Sequence, residues 1–166
     1  MTAVDTRPLG GHDVALLKQA LYLAIAWDPD GDFPPYEERL MNHPDIAIYH
    51  QGWGRPGDLG VVAESEDEFI GLSFCLLFTD DSHGHGYVDA KTPELGVAIV
   101  EGHRGEGVGG RLMDELTASA AAAGYGALSL SVSLDNPAQR LYRRLGYEEI
   151  SRDDEGLRMV LDLRSL

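Results

Sequence analysis

Four glycines fall within six residues at Gly105, Gly107, Gly109 and Gly110, in the segment Arg104-Gly105-Glu106-Gly107-Val108-Gly109-Gly110. An apolar run ending at Leu95 to Val100 precedes them and reads as a strand. After them Val108, Leu112, Leu116 and Ala120 recur four apart, the spacing of one helix face. A strand entering glycines and then a helix is a ready anion site. The first-turn amides lack intrahelical acceptors, and the helix dipole favours negative charge. Glycines let the backbone come close, and Arg104 can add a charge-assisted contact. A diphosphate explains these choices together, where a merely structural turn does not need so many glycines.

The next run, Ala127 to Ser133, alternates with period two and reads as a second strand. Strand, loop, helix and strand make one βαβ unit, so 95–100 and 127–133 are expected to be parallel. Gly105, Gly107 and Gly110 also satisfy the dinucleotide pattern Gly-x-Gly-x-x-Gly, with Asp135 as a candidate ribose-binding acid. An NAD-binding domain is therefore the remote alternative. Its doubly wound sheet needs further parallel strands, and this chain offers only one such unit. The Gly-Lys-Ser/Thr signature of a nucleoside triphosphatase is absent.

The flanks read as antiparallel. A short strand up to Leu9 is broken by Gly10-Gly11, and Asp13 is placed to cap a helix over 14–26. A Pro/Gly/Asp loop covers 28–35, a short helix Tyr36 to Asn42, and the signal is weak over 44–60. The runs 60–64 and 69–79, parted by Ser65-Glu66-Asp67-Glu68, form a hairpin. Gly124 is a plausible C-cap of the long helix. Asn136 is placed to cap a short helix with Pro137 in its first position, ended by Gly146. Runs 147–151 and 157–163 close the chain as a second hairpin. The expected class is α/β: a mixed, mostly antiparallel central sheet with flanking helices and one parallel βαβ unit. With no repeat or linker, residues 1–166 read as a single domain.

Thirteen Lys+Arg stand against 28 Asp+Glu, a formal charge of −15. That charge opposes nucleic-acid phosphates and anionic membranes and favours a cationic small molecule or basic peptide, if it does more than keep the protein soluble. The one cysteine, Cys75, lies in the apolar run 70–78, so it reads as a buried thiol and excludes an intrachain disulfide. His83 and His85 alone make a weak metal pair, and no metal is expected. The start of the chain lacks a signal-peptide pattern, and no window has the apolar length of a span; the expected compartment is the cytoplasm.

The stretch Glu94 to Met113 resembles the central motif of the GNAT superfamily, the histone-acetyltransferase-related N-acetyltransferases. Its Gln/Arg-x-x-Gly-x-Gly/Ala core is matched by Arg104, Gly107 and Gly109. The family's second motif is matched by Asn136-Pro-Ala-Gln-Arg-Leu-Tyr-Arg-Arg-Leu-Gly-Tyr147. The resemblance is strong over 94–150 and looser in the N-terminal half. It implies an acetyl-CoA-dependent N-acetyltransferase acting on a primary amine by direct attack in a ternary complex. It further implies that the main chain of Val97, Ala98 and Ile99 binds the pantetheine arm, and that Arg104, Gly105, Glu106, Gly107, Val108, Gly109 and Gly110 hold the pyrophosphate. Asn136 would lie beside the pantetheine, and Tyr142 near the thioester sulfur. A non-catalytic acyl-CoA-binding domain of the same fold is the main alternative, and a homodimer is compatible with the resemblance.

The chemistry asks for a base, because an amine of pKa about 10 must lose a proton before it attacks. Glu94 is the leading candidate, although strand alternation sets it on the face opposite Val97 and Ile99 unless the strand bulges. His83 and His85 are alternatives, and His103 reads as loop surface. Tyr142 is the candidate acid for the departing thiolate, against a plain core aromatic. Trp27, Phe33, Tyr36, Tyr49 and Trp53 are candidate walls of the acceptor pocket, with Trp53 foremost.

Overall fold

The computed structural model describes residues 3–166. Seven strands form one sheet: β1 (Asp5–Pro8), β2 (Leu59–Ser65), β3 (Glu68–Leu76), β4 (Glu94–Ile99), β5 (Ala127–Val132), β6 (Glu148–Arg152) and β7 (Leu157–Asp162). Their order is β1-β2-β3-β4-β5-β7-β6, antiparallel throughout except for the parallel pair β4 and β5. The helices are α1 (Val14–Ile25), α2 (Glu38–Met41), α3 (Pro44–Ala47), α4 (Val108–Ala122) and α5 (Gln139–Arg144). The mixed α/β class and the single βαβ unit expected from the sequence are both present. No helix among the described residues is long and apolar enough to cross a membrane.

Two cores divide the sheet's faces. On one face Leu112, Met113, Leu116 and Ala120 of α4 bury against Val61, Ala63, Leu95, Leu128 and Leu130. On the other, Leu17, Ala20 and Leu21 of α1 pack with Val62, Leu72, Phe74, Leu76 and Ala98. Period-two alternation in β3 and β4 feeds both cores at once. The β2–β3 turn narrows to Glu66 and Asp67, both left-handed at φ 53° and 65°, as a two-residue hairpin requires. A register shift opposite Ala63/Glu64 inserts Ile70 as an extra residue, and Ile70 joins the α4-side core.

Several local expectations are corrected. Asp13 precedes α1 but does not cap it with its side chain; its carboxylate accepts from Gly10 N (2.7 Å) and pairs with Arg7 (2.9 Å). Arg7 and the Gly10 amide between them occupy both carboxylate oxygens and turn the side chain away from the first-turn amides. The second helix is only Glu38–Met41, and α3 follows where the sequence signal was weak, started by Pro44 with His43 Nδ1 accepting from Asp45 N (3.2 Å). Strand β3 stops at Leu76 rather than Thr79. Regular helix in α5 begins at Gln139, so Asn136 closes the turn before it, accepting from Ala138 N (2.9 Å).

The pairing of β4 with β5 is minimal. Register is kept only at Glu94 opposite Ser129, with Ser129 N donating to Pro93 O (3.0 Å). Beyond that point the strands part. On its other edge β4 pairs with β3 along its whole length, and Val100 N donates to Ile70 O (2.8 Å). Alternation of an antiparallel ladder then points the main-chain groups of Leu95, Val97 and Ile99 away from β3, into the gap that β5 has vacated.

Candidate active site

The gap opens into a cleft of about 1210 Å³ lined from both faces of the sheet. From the α4 side come 103–105 and 107–110, Leu141, Tyr142 and Asn136; from the α1 side come Leu21, Trp27, Ile46, Tyr49 and Phe74; Glu94 and 95–99 run along its middle. Of the residues singled out in the sequence, Val97, Ala98, Ile99, Arg104, Gly105, Gly107, Val108, Gly109, Gly110, Asn136, Tyr142 and Glu94 all line it. Glu106 does not; it is turned to His103, whose Nδ1 lies 3.3 Å from its carboxylate.

Gly105 and Gly107 have φ of +80° and +84°, and nothing lies within 4 Å of where a Cβ would stand. Their requirement is therefore conformational: the left-handed backbone turns the chain into α4 and leaves its first amides uncapped by any side chain. Arg104 braces the loop, its Nη1 donating to Trp27 O (3.0 Å) and its Nε to Ile99 O (3.4 Å). In a chain of net charge −15, the lining holds five arginines: Arg104, Arg140, Arg144, Arg152 and Arg158. Arg140 and Arg144 share a face of α5 at helical spacing; the charge pattern around them, Gln-Arg-Leu-Tyr-Arg-Arg, is visible in the sequence as a basic run without acids.

Glu94 is 3% exposed. The Tyr49 hydroxyl donates to its Oε2, and Oε1 is buried with no hydrogen-bond partner. Burial pushes the Glu94 carboxyl above the usual carboxylate range, and the Tyr49 hydrogen bond opposes that shift. Strand β4 carries no bulge, so Glu94 does lie on the face opposite Val97 and Ile99. The parity that counted against it is resolved by the splay: a cleft that passes between β4 and β5 is lined by both faces.

Tyr142 is 7% exposed within the α4-side core, its ring 6.0 Å from that of Tyr147. Burial pushes its phenol up to about 12, so it stays protonated near neutral pH. His85 lines the cleft at its rim, with Nδ1 3.6 Å from Glu155, whereas His83 stacks on Tyr87 at 4.2 Å. Among the described residues no group of three or more His, Cys, Asp or Glu could hold a metal ion. Cys75 is buried, and burial raises its thiol to about 12.

The aromatic assignment needs correcting. Trp53 is 8% exposed and packs edge-on to Phe74 at 6.3 Å in the α1-side core, away from the cleft. Phe33 and Tyr36 pack on Tyr22. Only Trp27 and Tyr49 of the five reach the lining. Ile46 and Phe74 were not foreseen there, since their apolar character signals only core.

Known proteins share this architecture. The acetyltransferase (GNAT) family matches residues 20–147. No curated protein matches the chain. Among solved structures, the yncA protein of Salmonella typhimurium, solved with its cofactor acetyl-CoA, is 18% identical, with TM-score 0.71 over 98% of this chain and 95% of that one. The paia N-acetyltransferase of Thermoplasma acidophilum, in complex with coenzyme A, is 16% identical, with TM-score 0.67 over 96% and 99%. A ribosomal-protein-alanine N-acetyltransferase from Brucella melitensis is 22% identical, with TM-score 0.69 over 95% and 99%. At these identities the likeness is one of fold; the family match over most of the chain carries the assignment. The chain belongs to the GNAT family of acetyltransferases.

Proposed function

We propose that this protein transfers the acetyl group of acetyl-CoA to a primary amine, by direct attack while both substrates are bound. The observation that carries the proposal is the single cleft joining a glycine-rich helix start, an unpaired strand edge, a buried carboxylate and a buried phenol. The residues fit the donor. The uncapped amides of α4 and the arginines suit a pyrophosphate and a further phosphate, and the edge of β4 that β5 leaves without a strand partner at Val97 and Ile99 suits the amides of a pantetheine arm laid beside it. Similar folds hold acetyl-CoA in the Salmonella protein and coenzyme A in the Thermoplasma protein.

Each residue's task follows from its surroundings. Glu94 takes a proton from the incoming ammonium, directly or through water, and its raised affinity for protons suits that role near neutral pH. Main-chain N–H groups on the open edge of β4 stabilise the oxyanion. Tyr142 gives its proton to the departing sulfur, for which a protonated phenol is required. Cys75 takes no part, being buried and held as a neutral thiol. The acidic surface favours a cationic acceptor, a polyamine, an aminoglycoside or a protein amine.

Release of CoA from acetyl-CoA across a panel of such amines tests the proposal. Amine-dependent release, together with a rise in melting temperature with CoA and none with NAD, is the expected result. CoA binding with no acceptor acetylated would instead leave an acyl-CoA-binding module.

A further inference from the structure

We infer that Tyr49 is a positioning residue for Glu94, holding one carboxylate oxygen so that the other stays unpaired for the acceptor. This inference rests on Glu94 being the base of the proposed reaction. Tyr49 follows α3, in the part of the chain where sequence signals were weakest, and its ring is fixed edge-on by Phe78 at 5.3 Å and Phe74 at 6.2 Å. A ring wedged between two others points its hydroxyl in one direction. That hydroxyl donates to Glu94 Oε2. Oε1 has no partner, although it is buried. A buried acceptor without a donor is costly, more so when charged, so it is kept only where something else supplies the donor. An ammonium N–H, or a water delivered with it, is such a donor.

The β3–β4 connection completes the arrangement from above. A Cβ at Gly84 would fall on the Tyr49 hydroxyl and within 2.6 Å of Glu94 Oε2, and one at Gly86 would come within 3.0 Å of Glu94 Cγ. Only glycine lets the backbone close over the pair. The titratable groups facing Glu94 are Tyr49 from the α3 side and His83 and His85 from this connection. Ser129 of β5 and Leu76 of β3, opposite Glu94 in the sheet, carry no charge. The Tyr49 hydrogen bond is the strongest influence favouring the charged carboxyl against burial, and the Gly86 amide and the charges of His85 and His83 act in the same direction more weakly.

Tyr49→Phe keeps the ring and removes the hydroxyl. It should lower kcat about 10-fold with KM for acetyl-CoA unchanged, and move the acidic limb of the pH–rate profile to higher pH. Glu94→Gln should lose more, and the double variant should be no worse than Glu94→Gln. Carboxyl NMR titration of Glu94 reads the same link without turnover: its pKa should be higher in Tyr49→Phe than in the parent. An unchanged Glu94 titration would overturn the inference, whether or not an acceptor has been found. So would a double variant whose losses multiply. Failure of the parent protein to acetylate any amine, with the titration shift present, would count against the proposed reaction and leave the Tyr49–Glu94 link standing.

Discussion

Glu94 and Tyr142 are both buried acids, yet burial serves them differently. For Tyr142 the ordinary pKa already exceeds neutral pH, and burial only secures the proton. Tyr142→Phe should therefore keep its packing and its melting temperature while kcat falls about 100-fold or more, as loss of a general acid does; unchanged turnover would return Tyr142 to the role of core aromatic. For Glu94, burial lifts the folded pKa above the unfolded value of about 4.3. The fold then binds this proton more tightly than the unfolded chain does. Its contribution is full below that unfolded value and is lost as pH rises through the folded pKa. Glu94→Gln removes the loss, so thermal melts should show the variant more stable than the parent at pH 8 and the gap closing toward pH 4. A variant destabilised at pH 8 would mean the carboxylate is fully compensated in the fold.

Among the elements, β4 and α4 bear the site between them. Helix α4 is anchored by Leu112 and Leu116, both fully buried, and the Ser73 hydroxyl donates to Leu112 O (3.0 Å) from β3. Leu112→Ala should cost roughly 2–5 kcal/mol, read by denaturant unfolding. The loop before α4 is held by conformation more than by contact. Gly107→Ala places a Cβ in the left-handed region at a cost of roughly 1–2 kcal/mol. Because there is no steric neighbour, the fold should survive while the amides at the helix start are displaced. The expected signature is a KM for acetyl-CoA raised about 10-fold, or roughly 1.4 kcal/mol of binding. An unaltered KM would show that the loop's left-handed turn is unnecessary for the donor.

At the scale of the whole molecule, a net charge of −15 surrounds a cleft lined by five arginines. The field should draw cationic acceptors, and salt should weaken it over a Debye length of about 8–10 Å. For a polyamine acceptor kcat/KM should fall as ionic strength rises from 0.02 to about 0.5 M, whereas a neutral amine analogue should be indifferent. Equal salt dependence for both would rule out steering. What the sequence determined by itself was local: the glycine loop, the helix period after it, the βαβ unit and the Asn136–Tyr147 segment each carry their signal within a few residues. What only the tertiary structure decided was which distant residues meet. Trp53, set between glycines, went into the core, while Tyr49, read only as one of five candidate pocket walls, came to rest on Glu94. The parity of Glu94 was read correctly from alternation, but its consequence was not. Strand period fixes the face a side chain takes; the parting of β4 from β5, which opens both faces to one cleft, is set by pairing between strands far apart in the chain.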